Sequence, residues 1–224
     1  MMQAGDLIEE IGRELRPIEE RILRHPYLDA LEAARVPRDR LRLLVGEQHS
    51  IIASDLRSVA HLACRFGASE SRDFFLNVLQ GERAAWVLLQ DFARALGMGP
   101  DDLEAYEPLP GANAYTCYMA WLALYGSAAE VAAAYLLNFT AWGRNCARVS
   151  RGLKNQYGLR ETDVAFFDFF ASPPPGFEEA ARAVVAGGLV EGVDPRLVRR
   201  AARLLQGFEL LYWDTLHEAS AGTV

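Results

Sequence analysis

Apolar side chains recur at three- and four-residue intervals through almost the whole sequence, and that period excludes most folds, because an α-helix brings such positions onto one face. Gly and Pro punctuate these stretches sparsely, and strand-like alternation is scarce. The chain therefore reads as all-α. A first helix begins with Asp6 as its cap and carries Leu7, Ile11, Leu15, Ile18 and Ile22 to a stop at His25-Pro26. A short segment, 27–34, leads to Pro37, read as the first-turn proline of a long helix that closes near Phe66 and Gly67. Ser69 or Ser71 caps a third helix ending at Leu96, and the Gly- and Pro-rich stretch 98–111 predicts a loop crossing the bundle. Helix resumes over 112–151 with a break near Gly126-Ser127, followed by a short aromatic helix at 164–171. Two more helices span 177–186 and 195–219, with fraying from Ser220 onward. No repeat or shift of composition divides the sequence, so residues 1–224 read as one domain.

With 51% apolar and 24% charged residues, the chain has the means to bury a core. Its formal charge of -7 and the absence of any Lys/Arg block speak against nucleic acid as a partner, since phosphate binding draws on clustered cations. No apolar run approaches the ~18 residues of a membrane span. The acidic N-terminal stretch does not resemble a signal peptide, so the expectation is a cytoplasmic protein. Cys64, Cys117 and Cys146 are odd in number and lack C-x-x-C spacing, which fits neither a disulfide framework nor a zinc knuckle.

Polar residues interrupt the apolar stripes. Gln48 and Asp55 share a face with Leu41, Val45, Ile52 and Val59; Glu82 sits among Phe75, Leu79, Trp86 and Leu89. Asn138 lies between Tyr135 and Trp142, and Glu209 between Leu205 and Tyr212. A buried carboxylate costs several kcal/mol unless paired or neutralised, so several on different helices suggest a shared polar pocket. Each alone reads equally as a satisfied core group. The Glu-x-x-His spacing of di-iron bundles is missing, because Ala85 and Tyr212 stand three residues beyond Glu82 and Glu209. Asp214 and His217 read as a solvated helix face, and His49 and His61 as boundary residues. No metal and no cofactor is expected, and phosphate-loop and Gly-x-Ser-x-Gly patterns are absent.

His25-Pro26-Tyr27, Pro37, Asn113-Ala114-Tyr115-Thr116, Tyr125-Gly126-Ser127 and Glu209-Leu210-Leu211-Tyr212-Trp213, in this order, resemble the TenA family over nearly the whole chain. The resemblance implies a haem-oxygenase-like helical bundle, a homodimer or homotetramer, and hydrolysis of aminopyrimidine compounds in thiamine metabolism by a cysteine nucleophile. Relatives on the same fold include a PqqC-type cofactorless oxidase and di-iron oxidases; the latter place a His where this chain has Leu89.

Carried over by position, the resemblance assigns Tyr115 to the ligand ring and Glu209 to acid/base catalysis. It puts Asn138 at the nucleophile position and Gln48 where the family has the aspartate that grips the pyrimidine. Ile51, Trp142 and Phe170 fall on ring-contacting tyrosines. An amide cannot replace a thiolate, so standard thiaminase chemistry is not expected unless Cys117 or Cys146 substitutes. The expected partner is a small planar heterocycle, held by Gln48, Ile51, Glu82, Tyr115, Asn138, Trp142 and Phe170, and Gln48 in place of the aspartate predicts a neutral one. Two further readings remain open, a non-catalytic ligand-binding or regulatory protein and a PqqC-like or di-iron oxidase.

Overall fold

The computed structural model describes residues 3–222. Among them the chain forms ten α-helices and one 3-10 turn. These are α1 (Ala4–Leu23), α2 (Pro26–Glu32), the 3-10 turn (Arg38–Arg40), α3 (Leu41–Arg65), α4 (Ser71–Ala95) and α5 (Pro100–Glu104). They are followed by α6 (Pro110–Tyr125), α7 (Ala128–Tyr157), α8 (Ala165–Phe170), α9 (Phe177–Val190) and α10 (Pro195–Ser220). None of the described helices is long and apolar enough to cross a membrane.

The apolar period set the helices, while their ends follow local chemistry that the period does not reveal. Asp6 is not the cap of α1: Gln3 is, and Asp6 lies in the first turn, where its charge complements the helix's positive end. The segment after His25 is itself a helix, whose first donor is capped by His25, the Nδ1 atom accepting from the Tyr27 amide at 3.2 Å. Pro37 opens the 3-10 turn rather than α3. The expected crossing loop contains α5, which starts at Pro100 and is closed by Gly99 N donating to Asp102 Oδ2 at 2.8 Å. Pro110 then takes the first position of α6, two residues before the predicted start.

At Ser127 the break falls as expected, because Ser127 and Glu130 form reciprocal bonds at the N-terminus of α7. From there α7 runs beyond residue 151 to Tyr157, since Leu153 and Tyr157 continue its buried stripe. Likewise α9 continues past residue 186 through Gly187-Gly188, against a propensity cost of about 1 kcal/mol per Gly. Packing against α7 offsets that cost: a Cβ on Gly188 would stand 2.6 Å from Ala129 Cβ. Ser220, where fraying was expected to begin, is the last residue of α10 and is 8% exposed; residues 223–224 lie outside the described residues.

More than half of α7 is buried, with α2, α8, α9 and α10 packed around it, while α3 packs between α4 and α6 and α10 bridges α6 to α7. The core divides into two apolar clusters. One gathers Tyr27, Phe92, Phe166, Phe167 and Trp213; the other gathers Leu7, Ile11, Phe75, Val131 and Leu205. The interrupting polar residues lie where the two clusters meet.

Candidate functional site

Five long helices enclose a cavity at that junction, with about 670 Å³ of unfilled space when its opening is included. From α3 come Gln48, Ile51, Ile52 and Asp55; from α4, Val78 and Glu82; from α6, Tyr115. α7 supplies Tyr135, Asn138, Phe139 and Trp142, and α10 supplies Glu209 and Tyr212. Phe170 of α8 and Phe177 of α9 close the wall. All eight residues singled out from the sequence therefore line one cavity.

Spacing explains the convergence. Gln48, Ile51, Ile52 and Asp55 recur at three- and four-residue steps on α3, as do Tyr135, Asn138, Phe139 and Trp142 on α7, so each group projects from one helix face. Gly143 lets α8 come close enough to deliver Phe170, for a Cβ there would sit 2.8 Å from the Phe170 carbonyl oxygen. Trp142 meets Phe170 and Tyr212 edge-on, with ring centroids 6.0 and 6.1 Å apart.

Glu209 is 3% exposed, and each of its oxygens has a donor. Trp213 Nε1 donates to Oε1 at 3.2 Å, and Asn138 Nδ2 donates to Oε2 and also to Gln206 Oε1 at 3.2 Å. Burial pushes the Glu209 pKa up to about 8, and the two donors pull only partly against it. Gln48 Nε2 donates to the Tyr212 hydroxyl at 2.9 Å, fixing the amide across the cavity.

In the same cavity, Asp55 is 3% exposed and its Oδ1 has no hydrogen-bond partner. Burial raises its pKa well above the usual carboxylate range, and the charge of Glu82 raises it further. Glu82 is half-buried because the cavity itself reaches its side chain; its carboxyl is packed deeply enough for burial to raise its pKa to about 7.

None of the three cysteines lines the cavity. Cys64 and Cys117 are exposed; Cys146 is buried outside the lining yet near enough to feel the charge of Glu209, and burial first, then that charge, raises its thiol pKa. Asp214 is not a simple solvated face: His25 Nε2 reaches Asp214 Oδ1 at 3.0 Å, and the His25 and His217 rings meet edge-on at 5.9 Å. Because His25 Nδ1 accepts the Tyr27 amide, Nε2 carries the proton donated to Asp214. His49 stacks on Trp86 with centroids 4.7 Å apart. Among the described residues no group of three or more His, Cys, Asp and Glu side chains is arranged to hold a metal ion.

The sequence-derived site set lacked Asp55, Tyr135, Phe139, Phe177 and Tyr212. Asp55 carried a signal, as a carboxylate on an apolar stripe. Tyr212 stood in the Glu209–Trp213 motif without a role assigned to it; Tyr135, Phe139 and Phe177 carried no signal, because a ring on a buried face serves a core and a binding wall equally.

The TENA/THI-4/PQQC family model matches residues 13–167, more than half of the chain, and this stretch ends before α10 and Glu209. No curated protein matches the sequence. Among solved structures, a TenA homologue from Pseudomonas syringae pv. tomato superposes with a TM-score of 0.80 at 13% identity, covering 97% of this chain and 96% of that one. A TenA homologue from Pyrococcus furiosus gives 0.73 at 21% identity, covering 94% and 99%. A domain with a haem-oxygenase-like fold from Shewanella denitrificans gives 0.74 at 11% identity, covering 94% and 92%. These likenesses include α10 and show that the bundle is haem-oxygenase-like. With the family model matching most of the helices that build the cavity, the chain belongs to the TENA/THI-4/PQQC family.

Proposed function

We propose that this protein binds a small planar heterocyclic ligand in the central cavity and that Glu209 exchanges a proton with it. The observation that carries the reading is the state of Glu209: buried, held through both oxygens, and with a pKa near 8. A carboxyl with such a pKa is present in both protonation forms near neutral pH, which suits general acid/base work. Phe139, Trp142 and Phe170 offer ring faces and edges for a flat ligand, and Gln48, Tyr115 and Asn138 offer polar contacts at fixed places.

The protein does not act as a standard cysteine-dependent thiaminase on this reading. Asn138 stands at the nucleophile position with its amide donor committed to Glu209 and Gln206, and no thiol borders the cavity. Native mass spectrometry with an aminopyrimidine and with uncharged bicyclic heterocycles tests the binding. Turnover is then followed for the bound compound in wild type and Glu209→Gln. Retained binding with turnover reduced at least about 100-fold supports proton transfer by Glu209. Equal turnover in the two proteins removes Glu209 from the mechanism, and binding without turnover in either leaves a ligand-binding protein.

A further inference from the structure

Proton transfer by Glu209 leaves the cavity's two other carboxyls unexplained. Asp55 on α3 is 3% exposed with an unpartnered Oδ1, and Glu82 on α4 is close enough for its charge to act on it. Tyr115 from α6 and Tyr135 from α7 feel the same two carboxyls, and the Tyr135 hydroxyl, on a residue 6% exposed, is also unpartnered. The fifteen residues lining the cavity include three carboxyls and not one Lys, Arg or His. Other buried carboxyls in this protein are matched: Asp163 binds Arg160, Glu130 binds Ser127, and Glu47 accepts from Tyr106 and the Leu109 amide. A pair of buried carboxyls without a cation is costly in its charged form, and a cationic ligand supplies what the wall lacks.

We propose that Asp55 and Glu82 together bind the protonated amine of a cationic aromatic ligand whose ring packs on Phe139, Trp142 and Phe170. The proposal rests on the cavity being the ligand site and reverses the neutral ligand expected from Gln48 alone. Glu82 also lines a neighbouring space together with Pro174 and Pro175 of the α8–α9 connection, and Phe139, Phe170 and Phe177 border both spaces. Between them the two carboxyls retain protons near neutral pH, with Tyr115, Tyr135 and Glu209 as the other titratable groups facing them. A bound ammonium favours the charged carboxylates, so binding expels protons from the pair to the buffer.

Isothermal titration calorimetry of the full chain with phenethylamine and 2-phenylethanol tests this, since the two share ring and arm and differ in the cation. The expected result at pH 7.5 is at least about ten-fold tighter binding of the amine, with proton release seen as a dependence of the heat on the ionisation enthalpy of the buffer. Asp55→Asn and Glu82→Gln should each reduce the preference about ten-fold while changing the affinity for 2-phenylethanol less than about two-fold. Equal binding of the two probes by wild type overturns the acidic-pair assignment and leaves the cavity reading standing. A preference that survives both substitutions overturns the assignment as well, and failure of both probes to bind at millimolar concentration overturns it too, while the cavity reading stands or falls with the heterocycles in native mass spectrometry. If a variant does not fold, the wild-type comparison in two buffers decides alone.

Discussion

Asn138 shows how one side chain ties the cavity's chemistry to its packing. Its amide donates to Glu209 and so lowers the pKa of that carboxyl against the upward push of burial. Removing the donor with Asn138→Cys is expected to raise the Glu209 pKa above about 8, which carbon-13 NMR titration of the carboxyl would register; a lowered value would contradict the bond. The same substitution tests the thiaminase question. Wild type is expected to release no pyrimidine from thiamine above background, because no thiol borders the cavity. Asn138→Cys alone should leave the ring poorly held, since Gln48 lacks a charge worth about 1.5–3 kcal/mol in a hydrogen bond. Asn138→Cys with Gln48→Asp should show pyrimidine release that Glu209→Gln abolishes. Hydrolysis by the unmodified protein would show that this assignment of roles is wrong.

Helix α3 is held in register by a contact just before Gln48. A Cβ on Gly46 would lie 2.3 Å from the Tyr106 ring, so glycine is what lets that ring lie on the helix. Tyr106 then donates to Glu47 Oε1 at 2.6 Å, and the Leu109 amide donates to the same oxygen at 2.9 Å, anchoring the start of α6 and therefore Tyr115. Gly46→Ala is expected to displace the ring and cost about 1–3 kcal/mol of unfolding free energy, as a buried carboxyl loses a donor. Tyr106→Phe should cost a comparable amount alone and clearly less in the Gly46→Ala background, because that bond is already broken. Urea denaturation of the four proteins checks this, and simple additivity would refute the shared contact. Nothing in the sequence marked Tyr106 for this role; it lies in a stretch whose Gly and Pro content read as a crossing loop.

Across the whole molecule, the buried acids set an unusual pH dependence. Glu209 and Glu82 have folded pKa values near 8 and 7 against an ordinary value of 4.5, and Asp55 is raised as well. Between the ordinary and raised values the native state holds more protons than the unfolded one, so stability falls as pH rises from about 5 to about 8. His25 acts in the opposite sense: burial lowers its pKa below 6.5, and the stability this gives is lost as pH falls below that value. Glu32, held near 2 mainly by Arg148, loses its contribution in stronger acid. The melting temperature is therefore expected to be highest near pH 6 and several degrees lower at pH 9, with the decline flattened in Glu209→Gln. A curve that stays level or rises to pH 9 would contradict the buried acids.

Much of this architecture was legible in the sequence. The three- and four-residue period determined an all-helical chain, and the carboxylates and amides on its stripes marked an interior polar site, because a helix fixes which residues share a face. Local pattern also determined the break at Ser127, whose capping partner is three residues away. Tertiary structure alone decided that α9 continues through two glycines, that Ser220 is buried, and that Asp214 pairs with a histidine 189 residues away in sequence. It also decided that Asp55 and Glu82 line one cavity, near enough for the charge of one to act on the other, with no Lys, Arg or His in its lining. A stripe gives direction about one helix axis, whereas the partner of a buried charge depends on how separate helices pack, and that is settled when the chain closes around its core.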